Sequence, residues 1–107
     1  MQPSEIERKD AGKMKLKATK MRLYNLVLAH YPDIPPIQQT EFTKSLHSRS
    51  WWLDFEMPGE YCEVYFLTIG RKALLTFICG SFHEVTEISI AELKKYDLLE
   101  GEKTDGN

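Results

Sequence analysis

The chain has 107 residues, with 14 basic and 16 acidic side chains and a formal net charge of −2. This length fits one domain with a core of its own. The balanced charge excludes a polycation or a polyanion as a whole. No apolar run approaches the ~20 residues that a membrane span needs, and the N-terminal sequence has no apolar segment of the signal-peptide kind.

The two cysteines, Cys62 and Cys79, lie within apolar strand patterns. They form neither a CxxC motif nor a Cys/His cluster at zinc spacing, so the sequence predicts no metal site. We expect both thiols to be buried and reduced, which favours a cytoplasmic location. A disulfide between neighbouring strands is the alternative.

The N-terminal part of the chain is predicted to be helical. Residues 1–12 are polar without a period, and we expect a flexible tail there. Residues 13–31 lack glycine and proline and repeat apolar side chains at helical spacing, which predicts a helix. Pro32 ends it. After a stiff connector, residues 37–47 are predicted to form a second, shorter helix that begins behind Pro36.

The pattern of the central part predicts four strands of an antiparallel meander, separated by short turns that contain Gly or Pro-Gly. The last of these strands is expected to be a half-exposed edge. The four predicted strands are residues 51–57, 61–69, 73–79 and 82–88.

The C-terminal part begins with a capping box, Ser89 to Glu92, which predicts a helix through about Leu99. Residues 101–107 are expected to be a second flexible tail. The sequence therefore predicts one α+β domain over residues 13–100, in which two N-terminal helices, a four-stranded antiparallel meander and a C-terminal helix follow one another. We expect the helices to pack mainly on one face of the sheet.

Charge is distributed unevenly along the chain: residues 1–30 hold seven basic and three acidic side chains, and residues 31–107 hold seven and thirteen. A basic cluster without an acid between its members opens the first predicted helix, where the helix dipole disfavours cations. Three interpretations are open: contact with nucleic-acid phosphates, contact with acidic groups on this protein's own sheet or on a partner, or a solvated, frayed helix start. The cluster consists of Lys13, Lys15, Lys17, Lys20 and Arg22.

The strand that begins at Trp51 carries an aromatic and acidic pattern. If Trp51 faces the core, Trp52 shares the other face with Asp54 and Glu56, and Glu63 follows on the next strand. An outward Trp beside carboxylates is typical of an interface. The alternative is that a helix covers Trp52. The carboxylate pair alone more often marks a solvated face than acid–base or metal chemistry.

No catalytic motif is present in the sequence. The histidines lie far apart, and the turn between Cys79 and His83 separates a thiol from the nearest base. Glycine-rich phosphate loops, GxSxG and HExxH are absent from the 107 residues. The sequence thus favours a protein without cofactors that is not an enzyme, with a small enzyme as the least favoured reading.

The leading hypothesis is a small protein-binding regulator or adaptor of the inhibitor, chaperone-like or immunity type. It would act through Trp52, Asp54, Glu56 and Glu63 on an aromatic and acidic sheet face. Nucleic-acid binding by the basic cluster is the runner-up. We expect no membrane association, and the exposed sheet edge allows a homodimer.

Overall fold

The computed structural model describes residues 15–45 and 49–100. They form one five-stranded antiparallel sheet in which the strands are neighbours in chain order. Two helices and a short 3₁₀ turn (Ile37–Gln39) complete the described part. The strands are β1 (Glu41–Lys44), β2 (Ser50–Met57), β3 (Glu60–Ile69), β4 (Lys72–Cys79) and β5 (Phe82–Ile88), and the helices are α1 (Lys20–His30) and α2 (Ile90–Lys95).

The predicted architecture is wrong in its N-terminal part. The structure has one longer helix there, followed by a 3₁₀ turn and a strand, where two helices were predicted. The sheet accordingly has five strands and not four, so the described fold is mostly sheet. The four central strands of the prediction correspond to β2–β5.

The first helix begins later than predicted because residues 15–17 pair with the end of the domain. Leu16 forms a β-bridge with Leu99, and the amide of Lys17 donates to the carbonyl of Leu98 at 3.0 Å. Thr19 then caps α1, since its hydroxyl accepts the amide of Arg22. The local helix propensity of this segment is overridden by contacts some eighty residues away in sequence.

The second predicted helix is replaced by β1. The segment leaves the 3₁₀ turn at Thr40, whose hydroxyl donates to the carbonyl of Ile37. Glu41–Lys44 then pairs antiparallel with the free edge of β2, with Phe42 opposite Leu53 on the buried side. Residues 46–48, which include the end of the predicted helix at His47, lie outside the described residues, as do Lys13 and both predicted tails.

The core lies between the two helices and one face of the sheet, here called the inner face. Helix α1 contributes Leu23, Leu26 and Val27, and α2 and its flank contribute Leu93 and Leu98. The inner strand residues in this core are Trp51, Leu53, Phe55, Cys62, Val64, Phe66, Ala73, Leu75, Phe77, Cys79 and Ile88. Burial of this alternating set fixes which side of each strand faces outward.

Cys62 and Cys79 oppose each other on β3 and β4 and form a disulfide. The expectation of two reduced thiols is therefore wrong, and the cross-strand alternative holds. Cys79 also lies beside Glu60, whose Oε1 is 3.2 Å from its sulfur.

Among residues 15–45 and 49–100, no helix combines the length and the apolar character that a membrane span requires.

Candidate protein-binding surface

The outer face of the sheet is the side turned away from the two helices. It is formed by the odd-numbered residues of β1, β3 and β5 and the even-numbered residues of β2 and β4, because directly paired residues share a face. None of these positions contributes to the buried core of the described chain. The outer face is thus the largest surface of the sheet open to a partner.

Three carboxylates lie side by side on this face, one on each of β1, β2 and β3. Glu41 is paired with Asp54, and Asp54 with Glu63. We call this set the acidic row. Like charges directly opposite each other on neighbouring strands are destabilising, so the row carries an electrostatic cost that a bound cation would reduce.

Asp54 is the central member of the acidic row. Burial raises the pKa of its carboxyl group, and the neighbouring charges of Glu63 and Glu41 raise it further, while a hydrogen bond from the Tyr61 hydroxyl opposes the rise. The Oδ1 atom of Asp54 is buried without a hydrogen-bond partner in the described structure. This carboxylate is therefore both like-charged with its neighbours and incompletely solvated.

An aromatic pair lies beside the acidic row. The rings of Trp52 and Tyr65 meet edge to face, with centroids 6.0 Å apart and planes at 90°. The Tyr65 hydroxyl donates to Glu63 Oε1 at 2.7 Å. This bond to Glu63 is the main cause that raises the pKa of Tyr65, and a hydrogen bond from Trp52 acts in the opposite direction. Aromatic and acidic groups are thus joined in one chain of contacts.

Much of the rest of the outer face is aliphatic. Leu67 and Leu74 form one cross-strand pair, Ile78 lies on β4, and Val85 on β5 is 54% exposed. Five outer positions on the described strands are acidic, and the basic side chains among the outer positions are Lys72 and His83. The acids are Glu41, Asp54, Glu56, Glu63 and Glu87. The surface therefore combines aliphatic area with an excess of negative charge.

The structure brings together the four residues that the sequence singled out for protein binding. Trp52, Asp54 and Glu56 follow one another on the outer side of β2, and Glu63 is opposite Asp54 on β3. Trp51 faces the core and is 2% exposed, whereas Trp52 is half-buried on the opposite side. No described helix covers it, so the alternative of a Trp52 buried under a helix is not what the structure has.

Sequence reasoning missed two members of this surface. Tyr65 could have been found from the alternation of β3, which places it on the same side as Glu63. Glu41 gave no such signal, because its segment was predicted to be helical and its position follows only from pairing with β2.

The predicted basic cluster does not form one helical face. Lys15 and Lys17 precede α1, Lys20 and Arg22 lie in its first turn, and Lys13 is outside the described residues. Asp97 binds two of the cluster: its carboxylate is 3.3 Å from Lys17 Nζ and 2.9 Å from Arg22 Nη2. Part of the positive charge is thus paired within the protein. The acid is not on the sheet, where the second sequence interpretation placed it, but follows α2.

The acidic row does not form a metal centre. In the described part of the chain, no three His, Cys, Asp or Glu side chains are grouped in a way that would hold a metal ion. An open depression of about 360 Å³ next to the row is lined by residues that include Gln39, Glu41, Asp54 and Tyr61. Its lining offers hydrogen-bond acceptors and a phenol to a docking side chain.

No protein-family model, no curated protein and no solved structure matches this chain. The function can therefore be inferred only from the geometry of the surface.

Proposed function

We propose that the protein is a non-catalytic protein-binding module, of the regulator or adaptor type, that binds a partner through the outer face of its sheet. The proposal is carried by one observation: the acidic row lies directly beside the Trp52–Tyr65 pair on a sheet face that no described helix covers. Interfaces are enriched in such aromatic side chains, and a central Trp is a frequent hot spot.

The chemistry of the surface fits a partner segment that alternates cationic and apolar side chains. An Arg or Lys side chain reaching the acidic row would be attracted by three carboxylates and would offset the repulsion among Glu41, Asp54 and Glu63. The same cation would lie within reach of the Trp52 ring, whose face attracts positive charge. Apolar partner side chains would cover Leu67, Leu74 and Ile78.

The positive charge of the partner would mainly increase the rate of association. Opposite charge across an interface accelerates encounter and excludes wrong partners, while buried aromatic contact provides most of the affinity. An inhibitor or an immunity-type protein that must find a basic target quickly has these requirements. The cytoplasmic location predicted from free thiols loses that support, because disulfides persist mainly in oxidising compartments.

The test is a titration of the ¹⁵N-labelled protein with two synthetic peptides, one alternating Arg and Leu and one alternating Glu and Leu. We expect the basic peptide alone to shift the signals of the Trp52 indole and of the amides around Asp54 and Glu63. Trp52→Ala and Glu63→Gln should each weaken its binding, and salt should weaken it further.

Two matched controls lie away from the outer face. Met21→Ala removes an apolar side chain that is 61% exposed on α1, and Asp33→Asn removes an exposed carboxylate. Both should leave the binding of the basic peptide unchanged. Equal binding of the acidic peptide, or an equal loss of binding in the control variants, would contradict the proposal.

A further inference from the structure

The two edges of the sheet differ in how far they are open to another strand. Strand β1 has four residues and ends in Lys44, and such short, charged edges discourage pairing. Strand β5 has seven residues, contains no proline or lysine, and is paired with β4 along its whole length without a bulge. Within the described residues no strand pairs with its outer edge, which therefore presents an extended row of backbone groups.

The backbone groups that face outward from β5 can be identified from the turn before it. The two-residue turn Gly80–Ser81 makes Cys79 and Phe82 a hydrogen-bonded pair. Hydrogen-bonded and non-bonded pairs alternate along an antiparallel ladder. The amides and carbonyls of His83, Val85 and Glu87 consequently point away from β4.

We propose that two copies of this chain associate through the β5 edge, in an antiparallel register centred on Val85. In this register each copy uses the amides and carbonyls of His83, Val85 and Glu87 to extend the ladder. His83 of one copy then lies opposite Glu87 of the other, twice by symmetry. The imidazole of His83 can donate a hydrogen bond to the Glu87 carboxylate, so the strand sequence FHEVTEI is complementary to itself at these positions.

The inner side of the same register is also compatible. Glu84 of one copy faces Thr86 of the other, and Phe82 faces Ile88. The carboxylate of Glu84 accepts a hydrogen bond from the Tyr31 hydroxyl of its own chain. This carboxylate therefore already has a hydrogen-bond partner, and in this register it faces a threonine and not another carboxylate.

Neighbouring registers lack this complementarity. Centring the pair on Glu84 places that carboxylate opposite its own copy, and centring it on Thr86 places Val85 opposite Glu87. Like charges directly opposite each other are destabilising, and a charge opposite valine gains nothing. The Val85-centred register is the one that pairs His83 with Glu87 and also joins outward-facing backbone groups.

The resulting dimer would contain one continuous ten-stranded sheet, since each copy contributes five strands. The contact uses the edge of β5 and leaves the acidic row and Trp52 on β1–β3 free. It does not depend on the proposed outer-face function, and either proposal can fail without the other. An interface of one strand pair is small, so we expect a weak dimer whose population rises with concentration.

The test is sedimentation equilibrium of the full chain from low micromolar to millimolar concentration. We expect a monomer–dimer equilibrium for the wild type. Val85→Pro removes an outward-facing amide, a substitution that a sheet edge tolerates, and should be monomeric with an unchanged Tm. Lys44→Pro makes the matching change on the outward side of β1 and should dimerise like the wild type.

A charge exchange tests the register even if the proline variant fails to fold. His83→Glu places a carboxylate opposite Glu87 of the other copy at both symmetric positions, and should weaken the dimer about tenfold. Adding Glu87→Lys places opposite charges at these positions and should recover the affinity. A wild-type protein that stays monomeric overturns the proposal, also where hydrogen exchange shows that another segment of the chain protects the β5 edge amides. A Val85→Pro variant that still dimerises overturns it as well. So does a double variant whose dimer affinity is no higher than that of His83→Glu.

Discussion

The indole of Trp52 and the phenol of Tyr65 meet at right angles on the outer face, 6.0 Å apart, and the Tyr65 hydroxyl binds Glu63. This contact holds an aromatic surface and a carboxylate in a fixed relation on two neighbouring strands. Such a preorganised arrangement lowers the ordering cost of binding. The two adjacent tryptophans consequently have separate roles, one in the core and one on the surface.

The two tryptophans should differ in their contribution to stability. Trp51→Ala empties a core site that is 2% exposed and should cost about 3–5 kcal/mol. Trp52→Ala loses mainly the edge-to-face contact with Tyr65 and should cost about 1 kcal/mol. Urea unfolding followed by circular dichroism measures both. Equal losses would mean that Trp52 is a core residue and would remove it from the proposed interface.

Asp54→Asn should stabilise the protein at neutral pH. The folded state raises the pKa of the Asp54 carboxyl above its ordinary 3.8, chiefly by burial, so the fold disfavours the ionised form. Its unfavourable contribution is absent below pH 3.8 and develops as pH rises through the folded-state pKa. Asparagine removes the charge, and we expect a gain on the order of 0.5 kcal/mol at pH 7.

The control for that experiment is Asp33→Asn, which removes an exposed carboxylate away from the acidic row. Denaturant unfolding at pH 7 and at pH 3 should show the gain for Asp54→Asn at the higher pH only. A loss at pH 7 would show that the hydrogen bond from Tyr61 outweighs burial and the repulsion by Glu63 and Glu41.

Asp97→Asn tests the alternative of nucleic-acid binding. Asp97 has a φ of 60°, a conformation that asparagine also adopts readily, so the variant removes the charge without straining the backbone. The loss of two exposed ion pairs should cost less than about 1 kcal/mol. It frees Lys17 and Arg22, which would increase any affinity for phosphates.

The measurement is fluorescence anisotropy with a labelled duplex and a labelled single strand at low and moderate salt. We expect no binding at moderate salt by the wild type or by Asp97→Asn. Salt-dependent binding that tightens in Asp97→Asn, with a slope of about −0.9 per duplex phosphate contacted, would instead establish the basic cluster as a nucleic-acid surface.

Tyr31 should make stability depend on pH in the alkaline range. Burial, together with the hydrogen bond to Glu84, raises its pKa from 10.0 to about 12. Between these values the unfolded chain loses the Tyr31 proton and the folded chain keeps it, so stability falls as pH rises. Tyr31→Phe should remove this part of the fall, measured by urea unfolding across the range.

Glu84→Gln is the informative companion variant. It removes the charge that faces the phenol but leaves Tyr31 buried, and burial is the larger cause of the raised pKa. The alkaline fall in stability should therefore become smaller without vanishing. An unchanged fall in Tyr31→Phe would assign it to other groups.

The sequence predicted correctly the elements that depend on neighbouring residues, and it failed for those that depend on contacts with residues far away in the chain. Strand β5 matches its predicted bounds because a Gly-Ser turn precedes it and the Ser89 cap follows it, and both are local signals. Strand β1 was not predicted, because its extended form depends on pairing with β2. The late start of α1 likewise depends on the distant partner Leu99.

The same distinction holds for the candidate surface. The alternation around Trp52 gave the correct partners on its own strand, because side-chain direction along a strand is local. The presence of Glu41 in the acidic row depends on strand order, which the sequence did not reveal.

The bond between Cys62 and Cys79 closes the β3–β4 hairpin into a covalent ring with the exposed turn residues Gly70 and Arg71 at its far end. A protease that cuts after Arg71 would open the ring without separating the two halves of the protein. The cut chain would migrate as one molecule until a reductant releases the fragments. Damage at this turn would therefore stay hidden as long as the disulfide is intact.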